Sequence, residues 1–299
     1  KLRIIILFCF MLKGSIVALI TPFDNGSLSE KDYVKLINYH LENGTNGIVP
    51  GGTTGESPTL SHNEHKKIIE IAIKECKGKI PVIAGTGSNS TKEAVELSQF
   101  AEKAGSDALL VVTPYYNKPT QEGLYQHYKK INDSVGIPII IYNIPSRSVI
   151  DMEVDTMAKL FELKNIVGVK DATGDLDRVD KQLKAMGTEF IQLTGNDDNA
   201  LEFNKRGGVG AIGVTANVAA KLSSDFQKAC KEDFKKASEL DKLLQPLHSS
   251  LFIESNPSPV KYAASILGMC KPEVRLPLVE IRNETKIKVE EALKVANLL

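Results

Sequence analysis

The chain lacks an excess of charge of either sign. Lysine and arginine together number 37, and aspartate and glutamate together also number 37. Surfaces that bind nucleic acid or anionic membranes usually depend on a basic excess. We therefore expect no nucleic-acid partner and no membrane partner, and a small anionic substrate would need a local binding site.

Spacings typical of zinc sites and disulfide frameworks are also missing. The four cysteines are far apart in the chain: Cys9, Cys76, Cys230 and Cys270. Isolated thiols of this kind are typical of a reduced, cytoplasmic compartment. His62 and His65 lie three residues apart, but the metalloprotease motif H-E-x-x-H is absent and we expect no metal site.

The apolar run from Ile4 to Leu12 is too short to span a bilayer. It resembles the core of a signal peptide, but no small-residue cleavage site follows it. We interpret residues 1–10 as an N-terminal extension of the reading frame and Met11 as the natural start.

Eight short apolar runs alternate with amphipathic segments of helical spacing along most of the chain, among them residues 62–76 and 91–104. The runs are residues 16–20, 47–49, 81–84, 108–112, 138–142, 166–170, 190–193 and 209–212. Strict alternation predicts a parallel sheet, and eight units in a chain of this length favour an α/β fold of the closed (β/α)₈ TIM-barrel type. No G-x-G-x-x-G motif opens the first unit, which argues against a dinucleotide-binding fold.

The strand pattern stops after about Cys230, and three helical segments interrupted by prolines follow. We assign residues 11–230 to a catalytic barrel and residues 231–299 to a small C-terminal helical domain.

Lys170 stands at the expected end of the sixth barrel strand. Barrel enzymes build their active sites from the carboxyl ends of their strands. Burial of an ammonium is costly, so desolvation favours the neutral amine, which can form a Schiff base with a ketone. Taken alone, a strand-end lysine is more often a side chain that reaches solvent. The neighbouring loops therefore decide between the two interpretations.

Other predicted strand ends carry groups suited to imine chemistry. The second is followed by glycines and by Thr53 and Thr54, whose hydroxyl and N–H groups can bind a carboxylate. The fifth ends at Tyr142, a phenol able to donate a proton and accept it back. Arg147 follows it and offers a bidentate fork for a second carboxylate. Two adjacent tyrosines follow the fourth strand, and the combination favours catalysis.

In these loops the sequence resembles the dihydrodipicolinate synthases, a family of the pyruvate-dependent aldolase superfamily that also includes N-acetylneuraminate lyase. The resemblance extends from about Lys13 to the C-terminal helices. It rests on residues 52–57 (GTTGES), 113–117 (TPYYN), 142–147 (YNIPSR), 169–174 (VKDATG) and 256–261 (NPSPVK). It implies condensation of pyruvate with L-aspartate 4-semialdehyde in lysine biosynthesis, without a metal or organic cofactor.

The resemblance also implies a role for each site residue. Lys170 would carry pyruvate as a Schiff base, and Tyr142 would be the proton donor and acceptor beside the imine. Thr53 and Tyr116 would complete the proton relay, with Tyr116 supplied by a neighbouring subunit of a homotetramer, a dimer of dimers. The substrate-binding residues would be Thr53 and Thr54 for pyruvate, Arg147 for the semialdehyde carboxylate, and the backbones of Gly195 and Ile212.

A regulatory site for the inhibitor L-lysine is implied in the same way. Its residues would be Ser57, His62, His65, Asn89, Glu93 and Tyr115. Asn89 and Glu93 can pair with the two ends of a free lysine, and the two histidines would share one helix face. The alternative is an ordinary helix surface, and Pro58 departs from the alanine expected beside Ser57.

Two further departures and two alternative functions stay open. Asp171 replaces a glutamate and Gly213 replaces a serine of many relatives, close enough to the site to change substrate fit. Aldolases acting on 2-keto-3-deoxy sugar acids or N-acetylneuraminate share the lysine and the tyrosine, but the threonine pair and Arg147 favour the synthases. A barrel that binds keto acids without catalysis is disfavoured, because both reactive side chains are present.

Overall fold

A closed barrel of parallel strands forms the centre of the computed structural model, which describes residues 12–299. The strands are β1 (Gly14–Ala18), β2 (Phe23–Asp24), β3 (Ser27–Leu28), β4 (Gly47–Val49), β5 (Ile83–Gly85), β6 (Ala108–Val112), β7 (Ile139–Asn143), β8 (Ile166–Asp171), β9 (Ile191–Thr194) and β10 (Gly210–Gly213). Eight of them pair in the order β4-β1-β10-β9-β8-β7-β6-β5. A parallel bridge between Ile48 and Val82 closes the ring, so the (β/α)₈ prediction is confirmed.

A helix follows each barrel strand, and further helices follow the barrel. They are α1 (Glu30–Glu42), α2 (His62–Cys76), α3 (Thr91–Ala104), α4 (Gln121–Asn132), α5 (Pro145–Ser148), α6 (Val154–Phe161), α7 (Asp177–Met186), α8 (Ala200–Lys205), α9 (Ala220–Glu232), α10 (Phe234–Ser250), α11 (Ser258–Ile266) and α12 (Asn283–Val295). Local sequence sets several of their starts. Ser61 and Glu64 form a reciprocal capping box at α2, and the Asp233 carboxylate caps α10.

The observed elements differ from the prediction in detail. The β2–β3 hairpin was not predicted, and its turn has Asn25 and Gly26 in left-handed conformations. The first barrel strand begins at Gly14 instead of residue 16. Strand β8 continues through Asp171, so Lys170 is its penultimate residue.

The C-terminal helices pack directly on the barrel. Their buried Leu244, Val260 and Leu293 belong to the same apolar cluster as Val17 of β1 and Ile37 of α1. Each such side chain contributes roughly 1.5–3 kcal/mol when it is fully buried. This packing holds the loop between α10 and α11 at the carboxyl ends of the strands.

An irregularity in β8 decides which way its side chains point. Ile139 of β7 pairs with Ile166, but the next residue of β7, Ile140, pairs with Gly168, which leaves Val167 as an extra residue. After this bulge Val169 packs outward against the helices, and Lys170, paired with Tyr142, is on the inner face. If side chains alternated regularly through every residue from the outward Ile166, Lys170 would point outward.

The interpretation of residues 1–10 as an extension, and of Met11 as the start, lies outside the described residues. Between residues 12 and 299 no helix has the length and apolar character needed to cross a membrane.

Candidate active site

A cavity of about 380 Å³ opens at the carboxyl ends of the barrel strands. It is lined by six of the predicted residues, Thr53, Thr54, Tyr142, Arg147, Lys170 and Gly195. The carboxyl ends of four strands, β4, β7, β8 and β9, therefore bring together residues that are up to 142 positions apart in sequence, between Thr53 and Gly195. This is the location expected for a TIM-barrel active site.

Lys170 is a buried lysine without a charged partner. Its side chain is 5% exposed, and Nζ lies 4.2 Å from the centre of the Tyr142 ring. Within residues 12–299 this amine makes no ion pair and no hydrogen bond. Because it lines the cavity and is not neutralised by a carboxylate, it is placed to react with a bound carbonyl compound.

Gly195 leaves the space that the Lys170 side chain occupies. A Cβ atom at this position would lie 2.9 Å from Cε of Lys170 and 2.8 Å from Cβ of Ala172. Real Cβ atoms essentially never approach so closely, so a larger residue would displace the lysine. Gly195 thus contributes to the site through the absence of a side chain as well as through its backbone.

The loop that carries Thr53 and Thr54 is held in an unusual backbone conformation. Gly51 has φ +68° and lies against the ring of His65, and Glu56 has φ +54°. A left-handed conformation costs a residue with a side chain roughly 1–2 kcal/mol, so surrounding contacts must hold Glu56. Both threonines face the cavity as predicted.

Arg147 stands at the mouth of the cavity, in the short helix α5. Its Nη2 donates a 3.5 Å hydrogen bond to the carbonyl oxygen of Asn256, and the guanidinium is largely exposed. The Asn256 side chain donates to Thr54 Oγ1 over 3.0 Å. The cation is therefore free to meet an anionic substrate that enters from solvent.

Ile212 is fully buried inside the barrel in β10, and Val214, two residues later, is among the residues that line the cavity. The role of the Ile212 backbone stays a prediction.

Gly213 lies against a carboxylate that leaves no room for a side chain. The Asp197 carboxylate accepts hydrogen bonds from the backbone N–H groups of Val214 and Thr215, over 2.7 and 3.0 Å. A Cβ atom on Gly213 would lie 2.0 Å from the same carboxylate.

Asp171 faces away from the cavity and does not shape it, contrary to our expectation. Its Oδ2 accepts hydrogen bonds from Arg178 Nε over 3.1 Å and from Gln182 Nε2 over 3.0 Å. Arg178, in α7, also donates a hydrogen bond to Asp151, which lies in the loop between α5 and α6. The carboxylate therefore anchors the outer side of the strand that carries Lys170.

Tyr116 lies outside the cavity of its own chain. Its side chain is 88% exposed, and its backbone is left-handed with φ +74°. Tyr115 beside it is also exposed. The structure therefore does not bring Tyr116 together with Lys170 within one chain, and its predicted role depends on a second subunit.

The predicted regulatory residues are only partly clustered. His62 Nε2 lies 3.2 Å from a carboxylate oxygen of Glu93, and Asn89 accepts a hydrogen bond from Asn117. His65 does not share the exposed face of His62. Its Nε2 lies 2.7 Å from the Gly85 carbonyl oxygen, and burial lowers its pKa.

Sequence reasoning missed the contributions of the C-terminal segment to the site. Asn256 lines the cavity, and Lys261 forms a buried ion pair with Glu56. His248 of α10 also reaches the cavity wall, with Nδ1 2.7 Å from Thr215 Oγ1. Residues 256–261 carry part of the family resemblance, and this motif was the sequence feature that could have indicated a role for Asn256 and Lys261. The motif alone did not predict that role.

Comparison with known proteins agrees with this geometry. The model of the dihydrodipicolinate synthetase family matches residues 11–296. The 4-hydroxy-tetrahydrodipicolinate synthase of Pelagibacter ubique is 71% identical over 293 residues, which cover 97% of this chain and 100% of that protein.

Solved structures of the same kind superpose closely. Dihydrodipicolinate synthase of Aquifex aeolicus has a TM-score of 0.94 and 49% identity, covering 96% of this chain and 99% of that chain. The Acinetobacter baumannii enzyme, solved with pyruvate, has a TM-score of 0.94 and 45% identity, with coverages of 96% and 100%. The Cyanidioschyzon merolae enzyme, solved with lysine bound, has a TM-score of 0.93 and 33% identity, with coverages of 97% and 99%. The chain belongs to the dihydrodipicolinate synthetase family.

Proposed function

We propose that this chain is a 4-hydroxy-tetrahydrodipicolinate synthase that condenses pyruvate, bound as a Schiff base on Lys170, with L-aspartate 4-semialdehyde. The observation that carries the proposal is the unpaired amine of Lys170, which lines the cavity beside Tyr142. The name of the Pelagibacter ubique relative and the pyruvate complex of the Acinetobacter baumannii relative support it.

The reaction follows from the chemistry of a neutral amine. Lys170 Nζ adds to the keto carbon of pyruvate, and loss of water gives an imine. Removal of a methyl proton then gives an enamine, whose carbon attacks the aldehyde of the semialdehyde. The amino group of the second substrate finally attacks the imine carbon, which closes the ring and releases the lysine. The protonated imine accepts the electron pair when the methyl proton leaves and again when the amino group attacks, and the aldehyde oxygen takes up a proton as the carbon–carbon bond forms.

Tyr142 is the proton donor and acceptor beside the imine in this proposal. The ring already contacts the lysine amine, so its hydroxyl can serve the carbon to which the amine becomes bonded. Thr53 and Thr54 hold the pyruvate carboxylate, and Arg147 holds the carboxylate of the semialdehyde. Gly195 completes the wall next to the lysine.

Borohydride reduction in the presence of pyruvate, followed by mass spectrometry of peptides, tests the proposal. We expect a pyruvate-sized adduct on the peptide that carries Lys170. Absence of an adduct on the native protein would contradict Schiff-base chemistry. Turnover with L-aspartate 4-semialdehyde, but not with 2-keto-3-deoxy sugar acids or N-acetylneuraminate, then separates the synthase from the related aldolases.

The assembly in this proposal is a homotetramer, a dimer of dimers. Within each dimer, each subunit places its Tyr116 in the active site of the other. The support is the exposure of Tyr116, which is not among the described residues that line the cavity of its own chain. Mixing inactive Lys170→Ala and Tyr116→Ala chains should restore activity, because one site of each mixed dimer contains both residues. Full activity of Tyr116→Phe, or no recovery on mixing, would argue against this role.

We also propose that L-lysine inhibits the enzyme. We place the enzyme in the cytoplasm. The lysine-bound Cyanidioschyzon merolae relative and the adjacent His62 and Glu93 support the inhibitor. A titration with L-lysine, with D-lysine as control, tests it. Activity unchanged at millimolar L-lysine would remove the inhibitor from the proposal.

A further inference from the structure

The segment at residues 256–261, which precedes and opens helix α11, touches the threonine loop at two points. At one end the Asn256 side chain donates a hydrogen bond to Thr54 Oγ1 over 3.0 Å. At the other end Lys261 Nζ lies 2.6 Å from Glu56 Oε1. The C-terminal helices are thus linked to both halves of the loop that faces the substrate cavity.

The second of these contacts is an ion pair in the protein interior. Both side chains are 0% exposed. The Lys261 amine also donates to the Thr21 carbonyl oxygen over 2.8 Å and lies 4.2 Å from the centre of the Phe23 ring. Burial lowers the pKa of Lys261. A charge pair in such a place survives only if its hydrogen bonds are satisfied, and here they are.

Glu56 is held on its other side as well. Its Oε2 accepts a 3.0 Å hydrogen bond from the backbone N–H of Arg275. The residue itself has φ +54° and ψ +34°, a conformation that favours glycine. The carboxylate contacts therefore hold a turn that the local chain would not adopt readily, and this turn is two residues from Thr54.

We propose that the buried Glu56–Lys261 pair is a positioning element that sets the affinity of the site for pyruvate by fixing the Thr53–Thr54 loop. Neither residue is among the side chains of residues 12–299 that line the cavity, so the pair acts through the threonines. The inference rests on the proposed function, because it needs Thr53 and Thr54 to hold the pyruvate carboxylate.

The main test is the double variant Glu56→Gln, Lys261→Met, which removes both charges at nearly constant volume and leaves no unpaired ion in the interior. We expect a folded protein whose KM for pyruvate rises about tenfold while kcat changes by less than about twofold. A second variant, Glu56→Asp, keeps both charges but shortens the connection by one methylene. It should fold and raise KM in the same direction by a smaller factor.

A stability control separates positioning from general destabilisation. Val289→Ala truncates a fully buried residue of α12 that belongs to the core. It lowers the melting temperature without contact to the loop, and its KM for pyruvate should remain native. A native KM in both Glu56 variants, or an equal rise in KM for Val289→Ala, overturns the positioning role.

Failure of this inference is distinguishable from failure of the proposed function. Trapping of pyruvate on Lys170 by borohydride is measured on the native protein. If the native protein forms no adduct, the proposed function is wrong. If trapping is intact and the variants keep a native KM, only the positioning role is wrong.

Discussion

Two lysines of this chain are buried beside an aromatic ring, and they have opposite surroundings. Lys170 and Lys261 each place Nζ 4.2 Å from a ring centre, that of Tyr142 and that of Phe23. Lys261 has a carboxylate and a carbonyl oxygen as partners. Lys170 lines a cavity and has no such partner within residues 12–299.

The comparison shows that burial alone does not make a lysine reactive. Burial lowers the pKa of Lys261, and its carboxylate partner opposes this effect while the pair is shielded from substrates. An amine at a cavity wall that no carboxylate pairs is accessible to a substrate and can attack a carbonyl group. Both lysines are buried, so exposure does not distinguish them. Their partners do, because Lys261 is paired and structural whereas Lys170 is unpaired and placed to react.

Lys170→Met should produce the largest effect on activity. It keeps the aliphatic part of the side chain but removes the nucleophile, so we expect kcat to fall by about 10⁴-fold or more and the borohydride adduct to disappear. Stability should be kept, since no buried charge loses its partner.

The corresponding variant of the other lysine, Lys261→Met, should behave in the opposite way. It should lose stability, by about 3–5 kcal/mol in denaturant unfolding, and still form the adduct at saturating pyruvate. An adduct on the Lys261 peptide would break the comparison.

Tyr142→Phe should give the next largest effect. The ring that contacts Lys170 remains, but the hydroxyl that donates and accepts protons is lost, and kcat should fall by about 10²–10³-fold. The matched control is Tyr128→Phe, because Tyr128 is a buried tyrosine whose hydroxyl donates to the Val111 carbonyl oxygen over 2.7 Å. The control should lose about 1 kcal/mol of stability and keep its kcat. Equal rates for the two variants would contradict the role of Tyr142.

Gly195→Ala sharpens the comparison because it disturbs the surroundings of Lys170, where the added Cβ also meets Ala172, and leaves those of Lys261 unchanged. The added Cβ would lie 2.9 Å from Lys170 Cε, so the amine must move and kcat/KM should fall by about tenfold. Adduct formation followed over time should slow by a similar factor. Gly136→Ala is the control, because its Cβ meets only the end of the Glu102 side chain, at 3.2 Å. An unchanged rate of adduct formation in Gly195→Ala would show that the lysine tolerates the contact.

The smallest expected effect is a change in stability at acid pH, near the Glu56–Lys261 pair. Hydrogen bonds from Arg275 lower the pKa of Glu64 to about 2, and Arg275 also binds Glu56. A carboxylate with a lowered pKa stabilises the fold above its unfolded value of about 4.5, and this contribution is lost as pH falls toward 2. Glu64→Gln should therefore weaken the dependence of the melting temperature on pH between 4.5 and 2. The exposed Glu96→Gln should not, and identical profiles for all three proteins would argue against this linkage.

Much of the fold could be predicted from local patterns. All eight barrel strands overlap the predicted apolar runs, and α2 and α3 have the predicted ends. Strong caps such as Ser61 with Glu64 explain this accuracy, because they depend on residues three apart. The β2–β3 hairpin was missed because its two-residue strands are too short to show alternation. The boundaries of the C-terminal domain remain a prediction, since its helices share one core with the barrel.

The composition of the site was predictable to a similar extent. Lys170, Tyr142, Arg147 and the threonine pair were predicted to share a site because strand ends in a barrel share one rim. They do line one cavity, and their roles stay predictions. The roles of Glu56 and Lys261 could not be read, because 205 positions separate them and only packing brings them together. The predicted role of Tyr116 concerns the active site of another subunit, so the structure of a single chain does not test it.

Local sequence patterns were sufficient to predict three features of this protein. These are the strand order, the helix caps and the chemical groups at the rim, which follow from residues that are close in sequence. The orientation of Lys170 was not accessible in this way. Regular alternation from Ile166 would turn the lysine toward the helices, and one extra residue, Val167, turns it inward. That bulge arises from pairing with β7, an interaction between strands, so the orientation of Lys170 depends on the closed barrel.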